Sequence, residues 1–196
     1  MTRLATFILV LAISTAAYAA EFYVSADGDD ANDGTSPQAA WRTIDRVNRY
    51  GAETGFAPGD RIRFRGGDTF DDAVLHIVNS GAPAQPIVFE SYGDGRAHLT
   101  RGGVEHHQII SIVNQRYVTI DNLELSSPDF DPRKTTRGIG IEFTVDGEYP
   151  GIIIRNCHIH DIHGGMWHNR HLRGGIWMRT RHNVRGIAVG LVIENN

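Results

Sequence analysis

Three segments of the chain repeat one pattern, and this repeat restricts the possible folds more than any other feature. Each segment has apolar residues two apart, then a charged residue, then an asparagine, over residues 118–125, 152–159 and 191–196. The three asparagines, Asn122, Asn156 and Asn195, recur roughly every 35 to 40 residues, and self-similarity at such a period is typical of a solenoid. Another short apolar segment, predicted to be a strand, precedes each of the three repeated segments.

The middle segment indicates how the chain turns. Ile154, Cys157 and Ile159 are predicted to point inward, and this inward alternation slips by one residue at Asn156. A slip of one residue marks a bend between two strands, and asparagine tolerates the left-handed conformation that such a bend needs. Stacked asparagine side chains are expected to hydrogen-bond to one another. The alternative is a β-sandwich with chance asparagine matches.

Residues 20–50 predict a strand, a turn and a helix, here called the entry module, and the residues after them predict strands. Residues 21–24 predict a strand, and Ser36 and Pro37 predict the start of a helix that runs to about residue 50. One face of this helix would carry an apolar stripe of Trp41, Ile44, Val47 and Tyr50. After residue 58 short alternating strands and glycine-rich turns predict an all-β fold, with no further helix.

The turn between the first strand and the helix is rich in aspartate. Its spacing suggests a calcium loop, but a loop that starts at Asp27 places Ala31 and Asn32 at the fifth and sixth positions. A loop that starts at Asp29 places Ala40 at the twelfth position, where a glutamate ligand is required. We therefore expect a hydrogen-bonded turn here.

The first residues predict export. A basic start, an apolar run from Leu4 to Ile13 and small residues at Ala17 and Ala19 are typical of a signal peptide over residues 1–19. The alternative, a membrane anchor, would need a longer apolar run. Residues 20–50 then form the entry module and residues 51–196 the strands, in a secreted protein, periplasmic or extracellular, with no membrane association after cleavage.

Charge and cysteine content narrow the possible partners. The net charge of −4 gives no support for a nucleic-acid partner, which would call for a basic face. The only cysteine, Cys157, leaves the chain without an internal disulfide, so its stability must come from packing. We expect a monomer.

Residues 22–37 and 40–44, together with 57–62 and 81–92, carry a family resemblance. They resemble the start and first coils of bacterial extracellular right-handed parallel β-helix proteins of the pectate-lyase-like type. The resemblance implies a right-handed parallel β-helix whose N-terminal helix caps one end. Such proteins have more coils, so a chain that stops at Asn196 without a C-terminal cap is expected to be incomplete.

The resemblance also implies a groove that holds a polysaccharide. Two loops in equivalent places, 126–137 and 164–173, are expected to be neighbours and to form its wall. In an acidic sugar polymer, arginine binds the carboxylate and tryptophan stacks on the ring. The candidate substrate-binding residues are Arg133, Glu142, Trp167, His171, Arg173, Trp177, Arg179 and Arg181.

The favoured activity is a polysaccharide lyase that cleaves a uronate-containing polymer by β-elimination. Lyases of this fold neutralise the uronate with calcium or arginine while a basic side chain removes a proton. Lys134 or Arg137 would be that base, and Asp129 and Asp131 would bind calcium, the one cofactor implied.

Histidines cluster in the last third of the chain. His158 and His160 lie two apart on one strand face, followed by His163, a workable spacing for two zinc ligands. Neither a carboxylate nor a cysteine clearly completes this set, because Cys157 is expected to face the core and Asp161 lies near a turn. His160 or His168 as a general acid or base is an alternative.

Two further functions remain open. A glycoside hydrolase on the same scaffold would need two carboxylates at a defined separation, for which Glu124 and Glu142 are candidates. The other alternative is a non-catalytic carbohydrate-binding or surface protein. The chain contains neither a Gly-x-Ser-x-Gly elbow nor a phosphate-binding glycine loop.

Overall fold

The computed structural model describes residues 19–100, 107–128, 136–163 and 174–196. Within these ranges the chain is mostly β-strand, and the named strands pair in parallel. This confirms the predicted all-β class.

Three parallel sheets contain nearly all the strands. Sheet A consists, in spatial order, of β1 (Glu21–Val24), β2 (Arg61–Arg65), β5 (Ile87–Tyr92), β8 (Val118–Asp121), β12 (Ile152–Arg155) and β16 (Val192–Glu194). Sheet B consists of β3 (Thr69–Phe70), β6 (Ala97–Thr100), β9 (Leu123–Ser127) and β13 (His158–Ile162). Sheet C consists of β4 (Leu75–Ile77), β7 (His107–Val113), β10 (Thr136–Phe143) and β14 (Gly174–Thr180). A short fourth sheet pairs β11 (Gly147–Pro150) with β15 (Gly186–Val189).

The chain visits the three sheets in a fixed order. From β2 onward it passes from sheet A to sheet B, then to sheet C, and returns to sheet A beside the strand it left. Each circuit therefore stacks on the previous one, and equivalent positions of successive circuits become neighbours. This is the repeat that the asparagine spacing predicts.

The asparagines have the predicted backbone conformation. Asn122, Asn156 and Asn195 have φ angles of 53°, 54° and 53°. Asparagine is one of the few residues other than glycine that adopts this left-handed region readily. The side-chain bonding differs from expectation, because the Asn156 amide donates to Asp121 Oδ1 at 2.8 Å instead of to another asparagine.

The core is built from apolar ladders that run across the stacked strands. In sheet A one ladder places Phe22, Ile62, Phe89, Ile120 and Ile154 in register, one residue per strand. Ile62, Ile120 and Ile154 have no exposed surface, and Phe89 is 2% exposed. Because each inward residue meets another apolar residue on the neighbouring strand, burial is continuous along the stack.

The entry module differs from the predicted single helix. Ser36 does cap a helical turn with Pro37 at its first position, but this 3-10 helix (Pro37–Ala39) ends at Ala40, which is extended. A separate helix, α1 (Ile44–Glu53), begins after Thr43, whose hydroxyl accepts a hydrogen bond from the Arg46 N–H. The chain is extended between the two helices because Trp41 forms a parallel bridge with Val24.

Helix α1 also covers the free edge of sheet C. The Asn48 side chain donates to the carbonyl of Val74 at 2.7 Å and accepts from the His76 N–H at 2.8 Å. An unpaired strand edge would otherwise expose these backbone groups. Among the described residues no helix is long and apolar enough to cross a membrane.

The aspartate-rich turn is hydrogen-bonded, as expected. Asp29 and Asp33 accept bonds from backbone N–H groups two residues ahead. Asp30 reaches further and accepts from the N–H groups of Arg42 and Thr43 and from the Thr43 hydroxyl. Partial burial of Asp30 raises its pKa, but these three hydrogen bonds outweigh burial and leave the pKa below its usual value.

Replacing Asp30 by alanine is expected to lower the free energy of unfolding by about 1 kcal/mol at pH 7. Asp30 accepts from backbone N–H groups just before α1, much as an N-cap side chain does, and loss of such a side chain costs roughly this amount. A carboxyl with a lowered folded-state pKa stabilises the fold above its unfolded-state pKa of about 3.9. This contribution is lost as the pH falls through the folded-state value. The difference between the two proteins should therefore shrink towards pH 3 in urea unfolding curves. Exposed Asp94→Ala is the control, and an equal effect of both changes would contradict the assignment.

Candidate functional site

The outer face of sheet C carries an aromatic and charged cluster. Trp177 on β14 is the register partner of Gly140 on β10, which in turn faces Ser111 on β7. Gly140 has no side chain, and a Cβ there would lie 2.6 Å from the side-chain oxygen of Gln108. The absence of a side chain at Gly140 therefore leaves room for the Gln108 side chain on this face. Gln108 donates a hydrogen bond to the Ser111 hydroxyl at 2.8 Å.

Two arginines lie over the half-buried Trp177 ring. The guanidinium carbon of Arg137 is 4.1 Å from the ring centroid, and that of Arg179 is 4.9 Å away. Cations attract the electron-rich face of an indole, most strongly when water is excluded. The indole therefore packs against both guanidinium groups and is itself half-buried.

Both arginines also have polar partners. Arg179 binds the Glu142 carboxylate through two nitrogens, at 2.7 and 3.0 Å, in the adjacent strand. Arg137 is 8% exposed and donates to Gln108 at 3.2 Å. Burial lowers the pKa of Arg137, and the positive charge of Arg179 lowers it further, while Glu142 acts in the opposite direction.

A second cluster occupies the outer face of sheet B. His158 on β13 is the register partner of Glu124 on β9, and His160 follows on the same face. His160 Nε2 lies 3.0 Å from Glu124 Oε1, and its Nδ1 lies 2.9 Å from Asp161 Oδ2. The hydrogen bond to Asp161 first, and that to Glu124 second, raise the pKa of His160.

Two loops are predicted to form the wall of a groove, and both connect sheet B to sheet C. The loop after β9 and the loop after β13 leave paired strands of sheet B and enter paired strands of sheet C, so their described ends are neighbours. Most of the residues predicted on these loops lie outside the described residues, namely Asp129, Asp131, Arg133, Lys134, Trp167, His168, His171 and Arg173. Calcium binding at the two aspartates therefore stays a prediction.

The structure divides the remaining predicted residues into two groups. Arg137, Glu142, Trp177 and Arg179 converge on sheet C, whereas His160 belongs to the sheet B cluster. Arg181 is exposed beyond the end of β14.

The two carboxylates predicted for a hydrolase lie on different sheets, Glu124 on β9 and Glu142 on β10. Asp161 was not among the predicted site residues, because the sequence places it near a turn. The pairing of Glu124 with His158 had a signal, because each residue follows its asparagine by two positions.

Fold and site together define an all-β protein of stacked parallel strands with two polar outer clusters. The chain is 26% identical over 217 aligned residues to a lacto-N-biosidase from Bifidobacterium longum subsp. longum, an alignment that covers 85% of this chain and 13% of that protein. No protein-family model matches the chain.

Solved structures share the fold. The crystal structure of GH136 lacto-N-biosidase from Eubacterium ramulus matches with a TM-score of 0.73 and 22% identity, covering 90% of this chain and 34% of that one. A rhamnogalacturonan lyase matches with a TM-score of 0.55 and 10% identity over 90% of this chain and 56% of that one. At these identities the likeness is one of fold alone. The chain spans about an eighth of the curated relative's length and about a third of the GH136 structure.

These comparisons correct two predictions. The assignment to pectate-lyase-like proteins is wrong, because the sequence relative is a lacto-N-biosidase, a glycoside hydrolase. The polysaccharide-lyase activity is wrong for the same reason. The structure supplies a physical reason as well. Arg137, one of the two residues expected to be the base, is 8% exposed and packs against Trp177 and Gln108, and the charge of Arg179 is already paired with Glu142.

Proposed function

We propose that this chain is part of a secreted glycoside hydrolase that acts on lacto-N-biose-containing glycans. The alignment with the Bifidobacterium lacto-N-biosidase, which extends over 85% of this chain, carries the proposal. The stacked sheets would form a right-handed parallel β-helix capped by α1 at one end. Right-handed connections are the strong preference between parallel strands of one sheet, which supports this handedness.

The substrate-binding surface in this proposal is the sheet C cluster. Trp177 supplies a half-buried aromatic surface, and Arg179, whose charge is paired with Glu142, has further N–H groups that can donate to neutral sugar hydroxyls. Sugars combine apolar ring faces with hydroxyl groups, so an aromatic group next to fixed donors is a suitable partner. The Glu142 carboxylate, oriented by Arg179, can accept from a sugar hydroxyl through its remaining lone pairs.

The proposal is tested with p-nitrophenyl lacto-N-bioside and with polygalacturonate. We expect release of p-nitrophenol and no ultraviolet-absorbing unsaturated product. Binding of the glycoside without its hydrolysis would support the sheet C surface and argue against catalysis by this chain. Formation of the unsaturated product would overturn the proposal.

Trp177→Ala is expected to weaken binding of a lacto-N-bioside about tenfold, because loss of an aromatic contact costs roughly 1.5 kcal/mol. The change also removes the group that orders both arginines. Binding is measured by isothermal titration calorimetry. Tyr92→Ala, an aromatic substitution on the outer face of sheet A, is the control and should leave affinity unchanged. Equal affinities of Trp177→Ala and the parent chain would remove this surface from the proposal.

A further inference from the structure

The sheet B cluster has the composition of a metal site. Glu124, His158 and His160 each offer one ligand atom, and these three atoms all lie within 4.8 Å of one another. Imidazole nitrogen and carboxylate oxygen are common zinc ligands. We propose that Glu124, His158 and His160 bind a divalent transition-metal ion, with Zn²⁺ as the best match to these ligands.

The stacking of the coils brings the ligands together. Glu124 and His158 occupy the same register position on adjacent strands, where strands lie about 4.8 Å apart. His160 points to the same side because side chains alternate along a strand. Its ring is nearly parallel to that of His158, with the two centroids 4.2 Å apart. One circuit of the chain therefore supplies the carboxylate and the next supplies both imidazoles.

The distance between His160 and Glu124 requires only a small opening, and the His158 ligand atom lies within 4.8 Å of both of theirs. Ligand atoms about 2.0–2.1 Å from a tetrahedral Zn²⁺ lie roughly 3.3 Å from one another. His160 Nε2 and Glu124 Oε1 are 3.0 Å apart. Their side chains are each about one third exposed, so an ion can reach them from solvent without unfolding a strand.

Asp161 orients one of the ligands. Its carboxylate binds His160 Nδ1 at 2.9 Å, which leaves Nε2 facing Glu124. A metal-bound histidine commonly donates its other ring N–H to a carboxylate, which fixes the ring and strengthens the ligand. Asp161 would therefore act as a positioning residue that fixes the His160 ring.

The backbone at Asp161 is adapted to this contact. Regular alternation would turn Asp161 inward, yet its φ is 47° and the pairing register shifts between His160 and Ile162. A bulge of this kind re-aims a side chain, and a left-handed residue other than glycine carries strain. Because of this bulge, the Asp161 carboxylate lies on the outer face beside His160.

The site offers three protein ligands. Zinc sites with three protein ligands keep a fourth position for water or a substrate group. His98 lies beside the site, with its ring centroid 6.4 Å from that of His160, but its Nε2 is bonded to the Ser126 hydroxyl at 2.7 Å. Because His98 Nε2 already has this hydrogen-bond partner, the proposed site does not include His98. The proposal is independent of the hydrolase activity.

Metal binding is measured on the untagged, EDTA-treated chain by titration calorimetry with ZnCl₂ and by visible absorption with Co²⁺. We expect one bound ion and the intense d–d bands of a tetrahedral cobalt site. His158→Ala and His160→Ala should abolish these bands. Asp161→Asn should weaken binding about tenfold to a hundredfold while the bands persist.

Two controls separate the site from other histidines and from misfolding. His182→Ala, at an exposed histidine remote from the cluster, should bind as the parent chain does. Glu124→Gln keeps the side-chain shape, so its circular dichroism should match the parent while Zn²⁺ no longer raises its melting temperature. Unchanged metal binding in His158→Ala and His160→Ala would overturn the proposal. So would loss of binding only in a His168→Ala/His171→Ala double variant.

Discussion

Trp41→Ala is expected to lower the free energy of unfolding by about 3–5 kcal/mol, the usual cost of removing a large buried aromatic side chain. Trp41 has no exposed surface and stacks on Phe22 with ring centroids 5.2 Å apart. Its Nε1 also donates to the Asn32 carbonyl at 3.0 Å, which ties the aspartate-rich turn to the core. Gly34 has a φ of 76° and lies directly against the indole.

The loss is measured from guanidinium unfolding curves followed by circular dichroism. Gln38→Ala, at an exposed position of the 3-10 helix, should change stability by less than about 0.5 kcal/mol. Trp41→Phe keeps part of the aromatic packing and should fall between the two. If Trp41→Ala lost no more than Gln38→Ala, the entry module would contribute little to the stability of the stacked strands.

Asn156→Val is the second substitution with a large expected effect. A β-branched residue is disfavoured at the φ of 54° that Asn156 adopts, and a strained residue of this kind costs about 2–3 kcal/mol. The change also removes the hydrogen bond to Asp121. We expect the midpoint of guanidinium unfolding to fall accordingly.

Asn156→Gly is the matched variant for this prediction. Glycine adopts positive φ without strain, so this change removes only the side-chain hydrogen bond and should cost about 1 kcal/mol. A large gap between the valine and glycine variants identifies backbone conformation as the reason for the repeated asparagine. Equal losses would instead identify the bond to Asp121 as the reason.

The sequence predicted the repeated strands because their signals are local. Alternation of apolar residues depends on the two-residue period of a strand, and the slip at Asn122, Asn156 and Asn195 depends on the backbone freedom of asparagine. The structure bears out both signals, with positive φ at all three asparagines and a continuous buried ladder in sheet A. The same local reasoning failed at Trp41, where pairing with Val24 outweighs helical periodicity.

Local sequence patterns predicted some residues of the site but not how their side chains pack together. Trp177 and Arg179 were singled out by residue type, but their packing with Arg137 and Glu142 depends on the register between β10 and β14. That register also explains why the charge of Arg179 is paired with Glu142 and is not free to bind an acidic sugar. The function was misjudged because a shared fold does not imply a shared activity.

The sequence by itself determined the all-β class and the repeat, because alternation and turn propensities act over a few neighbouring residues. Only the tertiary structure decided which side chains of successive circuits meet, because that depends on inter-strand register and on a single bulge at Asp161. Glu124 and His160 are 36 residues apart in the chain and 3.0 Å apart in space. No local pattern encodes that distance, since it results from the stacking of two complete circuits around a common core.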